Sequence, residues 1–120
     1  MKTVLVVGRA WKFRALLRAQ LREENYDALG FATLEEAADQ LAAGSPPAAL
    51  VFDSTDASPA VVQPQLAELA RRLPVLVIAG AQDSFDFSPD KRRESTAPRV
   101  LRRPLRLEEV VAAIKAAAPL

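Results

Sequence analysis

The sequence contains no cysteine and no histidine. The first absence excludes a disulfide framework, a thiolate zinc or iron–sulfur site and a cysteine nucleophile. The second removes imidazole base catalysis and imidazole metal ligation. Carboxylates, amines and hydroxyls are what remain for chemistry. A dominant charge is also missing: 16 basic residues face 15 acidic ones, a net +1, so no whole-molecule field draws the chain onto nucleic acid or an anionic membrane. Long apolar runs are absent too. The longest, residues 75–81, falls far short of the roughly 20 residues of a membrane span. Met1-Lys2-Thr3 passes straight into a strand-like run without the layout of a signal peptide. These features lead us to expect a soluble, cytoplasmic protein. Its 120 residues, half of them apolar, suit a single domain, 1–120, that folds without staples.

What is present alternates between two periodicities. Val4-Leu5-Val6-Val7 is apolar at every position, the mark of a strand covered on both faces. Residues 10–24 carry Phe13, Leu16, Leu17 and Leu21 at helical spacing, with Lys12, Arg14, Arg18 and Arg22 on other faces. A weaker strand spans residues 26–32. Thr33-Leu34-Glu35-Glu36 then has the form of a capping box, which starts a helix near Leu34 with Ala37, Ala38 and Leu41 on its apolar side. Gly44, Pro46 and Pro47 stop that helix.

Ala48-Ala49-Leu50-Val51-Phe52 is a second buried strand and delivers Asp53 to its carboxyl end. A helix is predicted from about Pro64, a residue tolerated in a first turn, with Leu66, Leu69, Ala70 and Leu73 inward. Val75-Leu76-Val77-Ile78-Ala79 is the most apolar strand, and Val100-Leu101, between arginines, suits a sheet edge. A final helix from Leu107 to about Ala118 buries Leu107, Val110, Val111 and Ile114. Residues 82–98 fit no single element: Ser88-Pro89 can cap a short helix, but residues 90–95 offer no buried face. Such alternation builds an α/β sandwich, a parallel sheet with helices on both faces.

Leu5-Val6-Val7, Leu50-Val51-Phe52-Asp53, Pro74-Val75-Leu76-Val77-Ile78, and Arg103-Pro104 followed by Leu107-Glu108-Glu109 stand in an order and spacing that resembles a response-regulator receiver domain. The resemblance runs the length of the chain. It implies a flavodoxin-like three-layer fold, five parallel strands in the order 2-1-3-4-5, with a site at the carboxyl ends of the central strands. It also implies that Asp53 corresponds to the phosphoaccepting aspartate of two-component signalling. The other corresponding positions depart from the family. The acidic pair that helps hold magnesium is here Gly8 and Arg9, the hydroxyl residue ending the fourth strand is Ala79, the aromatic switch residue is Val100, and the lysine before proline is Arg103.

Phosphoryl transfer to a carboxylate needs positive charge against the equatorial oxygens, usually from magnesium held by hard oxygen ligands. Asp53, even with the backbone carbonyl of Thr55, is a poor set, so no metal or other cofactor is expected; any metal would sit on Asp53. Arg9 is expected to set its guanidinium against Asp53 in the ion's place, an attraction of about 4 kcal/mol at 4 Å before desolvation. Asp53 can equally be a strand-terminal carboxylate that caps its loop, and Asp56 a loop hydrogen-bonder. Trp11 is left open between packing over the site, meeting a partner, and burial at the helix start.

The function expected is therefore a phosphorylation-independent protein-interaction module, not an enzyme. One alternative is a working phosphoacceptor modified on Asp53, with magnesium. Another is a small nucleotide- or flavin-binding domain, invited by Gly8, although residues 8–13 lack the later glycines of a dinucleotide loop. Lys91, Arg92, Arg93, Arg99, Arg102, Arg103 and Arg106 form a late basic cluster. They fall on the fourth-helix, fifth-strand and fifth-helix face through which receivers dock targets or dimerise, so an acidic protein partner or a homodimer is expected there, and neither nucleic acid nor membrane. Arg14, Arg18 and Arg22 make a second, solvated stripe.

Overall fold

The computed structural model describes residues 1–87 and 97–120. Five strands, β1 (Thr3–Val7), β2 (Asp27–Phe31), β3 (Ala49–Asp53), β4 (Val75–Ala79) and β5 (Arg99–Arg102), alternate with α1 (Trp11–Glu23), α2 (Leu34–Ala43), α3 (Pro59–Leu69) and α4 (Leu107–Ala117). The sheet is parallel throughout in the order β2-β1-β3-β4-β5, as the resemblance implies. Val4 to Val7 of β1 and all of β3 and β4 are buried because helices cover both faces. Leu17 and Leu21 of α1 with Val110, Val111 and Ile114 of α4 close one core over Val4, Val6, Val51 and Ile78. Leu34 and Ala37 of α2 with Leu66, Ala70 and Leu73 close the other over Leu5, Val7, Leu50, Phe52 and Val77.

Several elements differ from their sequence expectation. α3 begins at Pro59, not near Pro64: Ser58 is extended, Pro59 takes the first-turn position where its missing N–H costs nothing, and Pro64 lies inside the helix. Leu16 is 61% exposed, because the buried stripe of α1 follows Leu17 and Leu21, with Phe13 packed partly against the core. On α2, Thr33 accepts the Glu36 N–H at 3.3 Å as the cap predicts, while Ala38 faces solvent.

The arginine stripe of α1 is not simply solvated. Arg18 Nε and Arg22 Nη2 donate to the Ala28 carbonyl, at 3.2 and 3.4 Å, on the edge strand β2, where a backbone acceptor would otherwise invite another chain. Asn25, at φ 70°, ends α1 in a left-handed cap: Tyr26 N–H donates to Leu21 C=O and Asn25 N–H to Arg22 C=O. Residues 82–87 form neither helix nor strand, and the expectation of a capped helix or a loop from Ser88 onward lies outside the described residues.

Candidate functional site

Parallel strands bring their carboxyl ends to one edge, and the register places β1 beside β3 with Val7 opposite Phe52. One residue further on, Gly8 faces Asp53 so closely that a Cβ on Gly8 would lie 2.8 Å from the Asp53 Cβ and 3.3 Å from its carbonyl oxygen. The Gly8 N–H donates to Phe31 C=O at 2.9 Å, and its carbonyl accepts from Arg14 Nη1. The end of β1 is thus held between β2 and β3 with no room for a side chain.

Asp53 is 3% exposed. Its Oδ1 accepts from the Thr55 N–H at 3.1 Å and the Thr55 hydroxyl at 2.9 Å, so the carboxylate caps the turn that leads to α3. The same oxygen meets Arg103 Nη1 at 3.1 Å. Arg103 is anchored by its own N–H, which donates to Ala79 C=O at 2.8 Å, and its guanidinium lies 5.1 Å from the centre of the Phe13 ring. Three elements therefore converge on one carboxylate: the β3 turn, the end of β5, and α1 through Phe13.

This arrangement corrects the expectation for Arg9. A guanidinium does oppose Asp53, but it belongs to Arg103. Arg9 is exposed and makes no ion pair among the described residues. The reason is geometric: the pinned Gly8 backbone sends the next residue to the rim of a cavity, whereas the end of β5 aims Arg103 beneath Phe13 at Asp53. Among the other positions, Ala79 is fully buried, Val100 is half-buried against the α2/α3 core, and Asp56 is exposed at φ 63°. Trp11 is 63% exposed, with neither the site nor the core covering it.

Two contributors escaped the sequence reading. Ser54 is buried and donates its hydroxyl to Asp83 Oδ2 at 2.7 Å; the Gly80 N–H donates to the same oxygen at 2.8 Å. These bonds, Ser54 first, hold the Asp83 carboxyl below the ordinary 3.8, assisted by the Arg102 and Arg103 charges and opposed by desolvation. Arg102 fastens the same loop through the carbonyls of Asp83 and Phe85. The only sequence signal was the Gly80-x-x-Asp83 spacing, which suits a carboxylate bonding a backbone N–H three residues back. Of the basic cluster, Arg99, Arg102 and Arg106 are exposed, although the Arg102 guanidinium is bonded to the 80–85 loop; Arg103 is half-buried against Asp53, and Lys91, Arg92 and Arg93 lie outside the described residues.

The donor set does not fit magnesium. That ion requires near-octahedral hard oxygen ligands, yet Gly8 supplies no carboxylate, Arg9 adds a like charge, and Asp53 Oδ1 is already engaged by Arg103. No group of three acidic, histidine or cysteine side chains able to hold a metal occurs among the described residues. Asp53 Oδ2 is buried and has no hydrogen-bond partner among them. Beside Asp53, a cavity of about 210 Å³ opens between the start of α2 and α3. No helix among the described residues is long and apolar enough to cross a membrane.

No family model and no curated protein matches the chain. Solved structures do. A response regulator receiver protein from Burkholderia phymatum aligns at 23% identity over 100% of both chains with a TM-score of 0.68. The receiver domain of the Francisella response regulator 1452 aligns at 14% identity over 98% of this chain and 97% of that one, with a TM-score of 0.69. The Francisella novicida lysine decarboxylase LdcF also aligns, at 19% identity and a TM-score of 0.72, over 98% of this chain but 17% of that one. With five parallel strands in the order 2-1-3-4-5 and these neighbours, the chain has the flavodoxin-like fold of response-regulator receiver domains.

Proposed function

We propose that this chain is a receiver-fold interaction module of two-component signalling that works without phosphorylation and is not an enzyme. The observation that carries the proposal is the engagement of Asp53: Oδ1 held by Arg103 and Thr55, with the Gly8 backbone against its Cβ. An acyl phosphate on Asp53 needs one carboxylate oxygen for the new bond, the other for a metal or cation, and space for three phosphoryl oxygens. Here one oxygen is committed and the metal ligands are replaced by glycine and arginine. Fold alone does not demand phosphotransfer, since the same fold aligns with a minor part of a lysine decarboxylase. A partner would be met on the β5 and α4 face, where Arg99 and Arg106 are exposed. Nucleotide or flavin binding at the carboxyl edge of the sheet is disfavoured, because the cavity there, about 210 Å³, is below the roughly 300–1,000 Å³ of drug-sized ligand sites.

The second reading, a working phosphoacceptor, has one observation in its favour, the unpartnered Oδ2 of Asp53. Exposure to a small acyl phosphate with magnesium separates the two. We expect no change in intact mass. A gain of about 80 Da, one phosphoryl group, that disappears in Asp53→Asn would establish the second reading instead.

A further inference from the structure

Charge is distributed unevenly along the chain. Residues 1–22 hold six basic residues and no acidic one, whereas residues 23–70 hold nine acidic residues and no basic one. The fold turns this order into two opposed surfaces. On the solvent side of α1 stand Lys12 and Arg22, the latter exposed although one nitrogen reaches Ala28, and the terminal Glu23 is the one acid there. The second block builds α2 and α3, where Glu35, Glu36 and Asp39 are exposed and no cation occurs. Because α1 closes one core and α2 and α3 close the other, the two surfaces lie on opposite faces of the sheet.

The exposed apolar residues follow the same division. Apart from Met1 and Leu120 at the termini, the large apolar side chains exposed among the described residues are Trp11, Leu16 and Val61, at 63%, 61% and 64%. Trp11 and Leu16 flank exposed Ala15 and Ala19 on α1, at helical spacing. Val61 of α3 shares one cavity lining with Glu35 at the start of α2. Each surface therefore joins apolar area to charge of one sign, and the two signs are opposite. Apolar area framed by complementary charge is the composition of a protein contact.

We infer that this chain binds a second copy of itself head to tail, α1 of one copy against the α2 and α3 face of the next. Trp11 and Leu16 meet Val61 and the exposed alanines of α2, while Lys12 and Arg22 meet Glu35, Glu36 and Asp39. Charge selects this pairing: a basic α1 repels another α1 and an acidic α2 repels another α2, so a two-fold contact between like faces is disfavoured. Since the mating faces lie on opposite sides of the sheet, each contact leaves one of each kind free, and assembly grows past two copies. Association of this kind uses neither the β5 and α4 face nor Asp53, so it does not depend on phosphorylation.

Sedimentation equilibrium of the full chain at low salt, from about 10 μM to about 1 mM, tests it. The average mass should rise past that of two copies, and raising the ionic strength from about 0.01 M to about 0.15 M should weaken association about tenfold. Trp11 is the single tryptophan, so its emission should shift to shorter wavelength over the same concentrations. Trp11→Ser should weaken association about tenfold and Leu16→Ser about threefold, with unfolding midpoints unchanged because both side chains are exposed. Charge reversal gives the sharper test. Lys12→Glu with Ala19→Glu makes α1 acidic, and Glu36→Lys with Asp39→Lys makes α2 basic; all four positions are exposed. Each double variant alone should stay monomeric, and an equimolar mixture should associate again, since each then offers the face the other lacks. A wild-type chain that is monomeric throughout leaves both faces to other proteins and overturns the inference. Association that stops at a dimer, that ignores salt and the α1 and α2 variants, or that the mixture fails to restore overturns it as well.

Discussion

Placing a single methyl group on Gly8 measures how tightly the site is closed. The alanine Cβ would stand 2.8 Å from the Asp53 Cβ, 3.3 Å from its carbonyl oxygen and 3.6 Å from its Cα. All three atoms belong to the backbone or first side-chain atom of β3, so no flexible tip can swing aside. Nor can β1 retreat, since it is hydrogen-bonded between β2 and β3 and buried from Val4 to Val7. Forcing a methyl into so close a contact costs about 1–3 kcal/mol. Against this, Gly8 does not have a positive φ, so alanine is compatible with the backbone and recovers about 0.4–1 kcal/mol from the unfolded chain. The net expectation for Gly8→Ala is a loss of about 1–2 kcal/mol. In a domain of this size that lowers Tm by roughly 4–10 °C.

Urea unfolding should show a lower midpoint with an unchanged slope. Gly44→Ala is the control: nothing lies within 4 Å of its added Cβ and its φ of −170° is ordinary extended backbone, so it should be neutral or slightly stabilising. If Gly8→Ala unfolds at the wild-type midpoint, the ends of β1 and β3 are not in contact as described, and the steric argument against an acidic residue at position 8 fails with it. If the contact holds, Gly8→Asp carries the same Cβ and does not restore a magnesium site by itself.

Two further perturbations probe the neighbouring charges. Arg103→Lys keeps the charge but loses the guanidinium plane over Phe13 and the geometry toward Asp53, a loss of about 1 kcal/mol in the free energy of urea unfolding. Arg103→Met leaves a buried carboxylate without its counter-charge and should lose more, about 1–3 kcal/mol; unchanged stability in both variants would refute the clamp. Asp83 supplies the pH test. Its carboxyl is depressed in the folded state, so its contribution is fully present above the ordinary value of 3.8 and is lost as pH falls below it through the folded-state value. Ser54→Ala removes the leading cause of that depression, so the midpoint gap between wild type and variant should be largest near neutrality and shrink well below pH 3.8; a constant gap would contradict the assignment.

The strands were legible where burial on both faces made every residue apolar, as in Val4–Val7 and the Val75–Ala79 run, and the strand order followed from the resemblance those runs support. Position along a helix was less legible. Pro59 and Pro64 are equally good first-turn residues in isolation, and only the extended Ser58 decides between them. Leu16 matches helical spacing as well as Leu17 does, but the sheet selects one stripe. At the site, sequence could identify a carboxylate that lacks metal ligands and is opposed by a guanidinium. It could not choose between Arg9, near Asp53 through the first strand, and Arg103, fifty residues downstream of Asp53, because that choice is made by how Gly8 packs and where β5 ends. Asp83 lay in a stretch without periodicity, where a side chain bonded to backbone leaves almost no pattern.

A magnesium ion and an arginine clamp both neutralise a carboxylate buried at a sheet edge, with opposite consequences for signalling. The ion is exchangeable, and its occupancy follows its concentration. A guanidinium just past the end of β5 is part of the same chain and, being intramolecular, meets Asp53 at an effective concentration that does not depend on a solution ion; it also keeps its proton throughout the physiological range. The Arg103 guanidinium also lies over Phe13 of α1, and its backbone is fixed by the Ala79 carbonyl of β4, so releasing Asp53 would also break the contact with α1. On the proposed function, this fixes the β5 and α4 face in one shape. Such a module can still carry information, through how much of it is present or through competition for a shared partner, but not through a chemical change at Asp53.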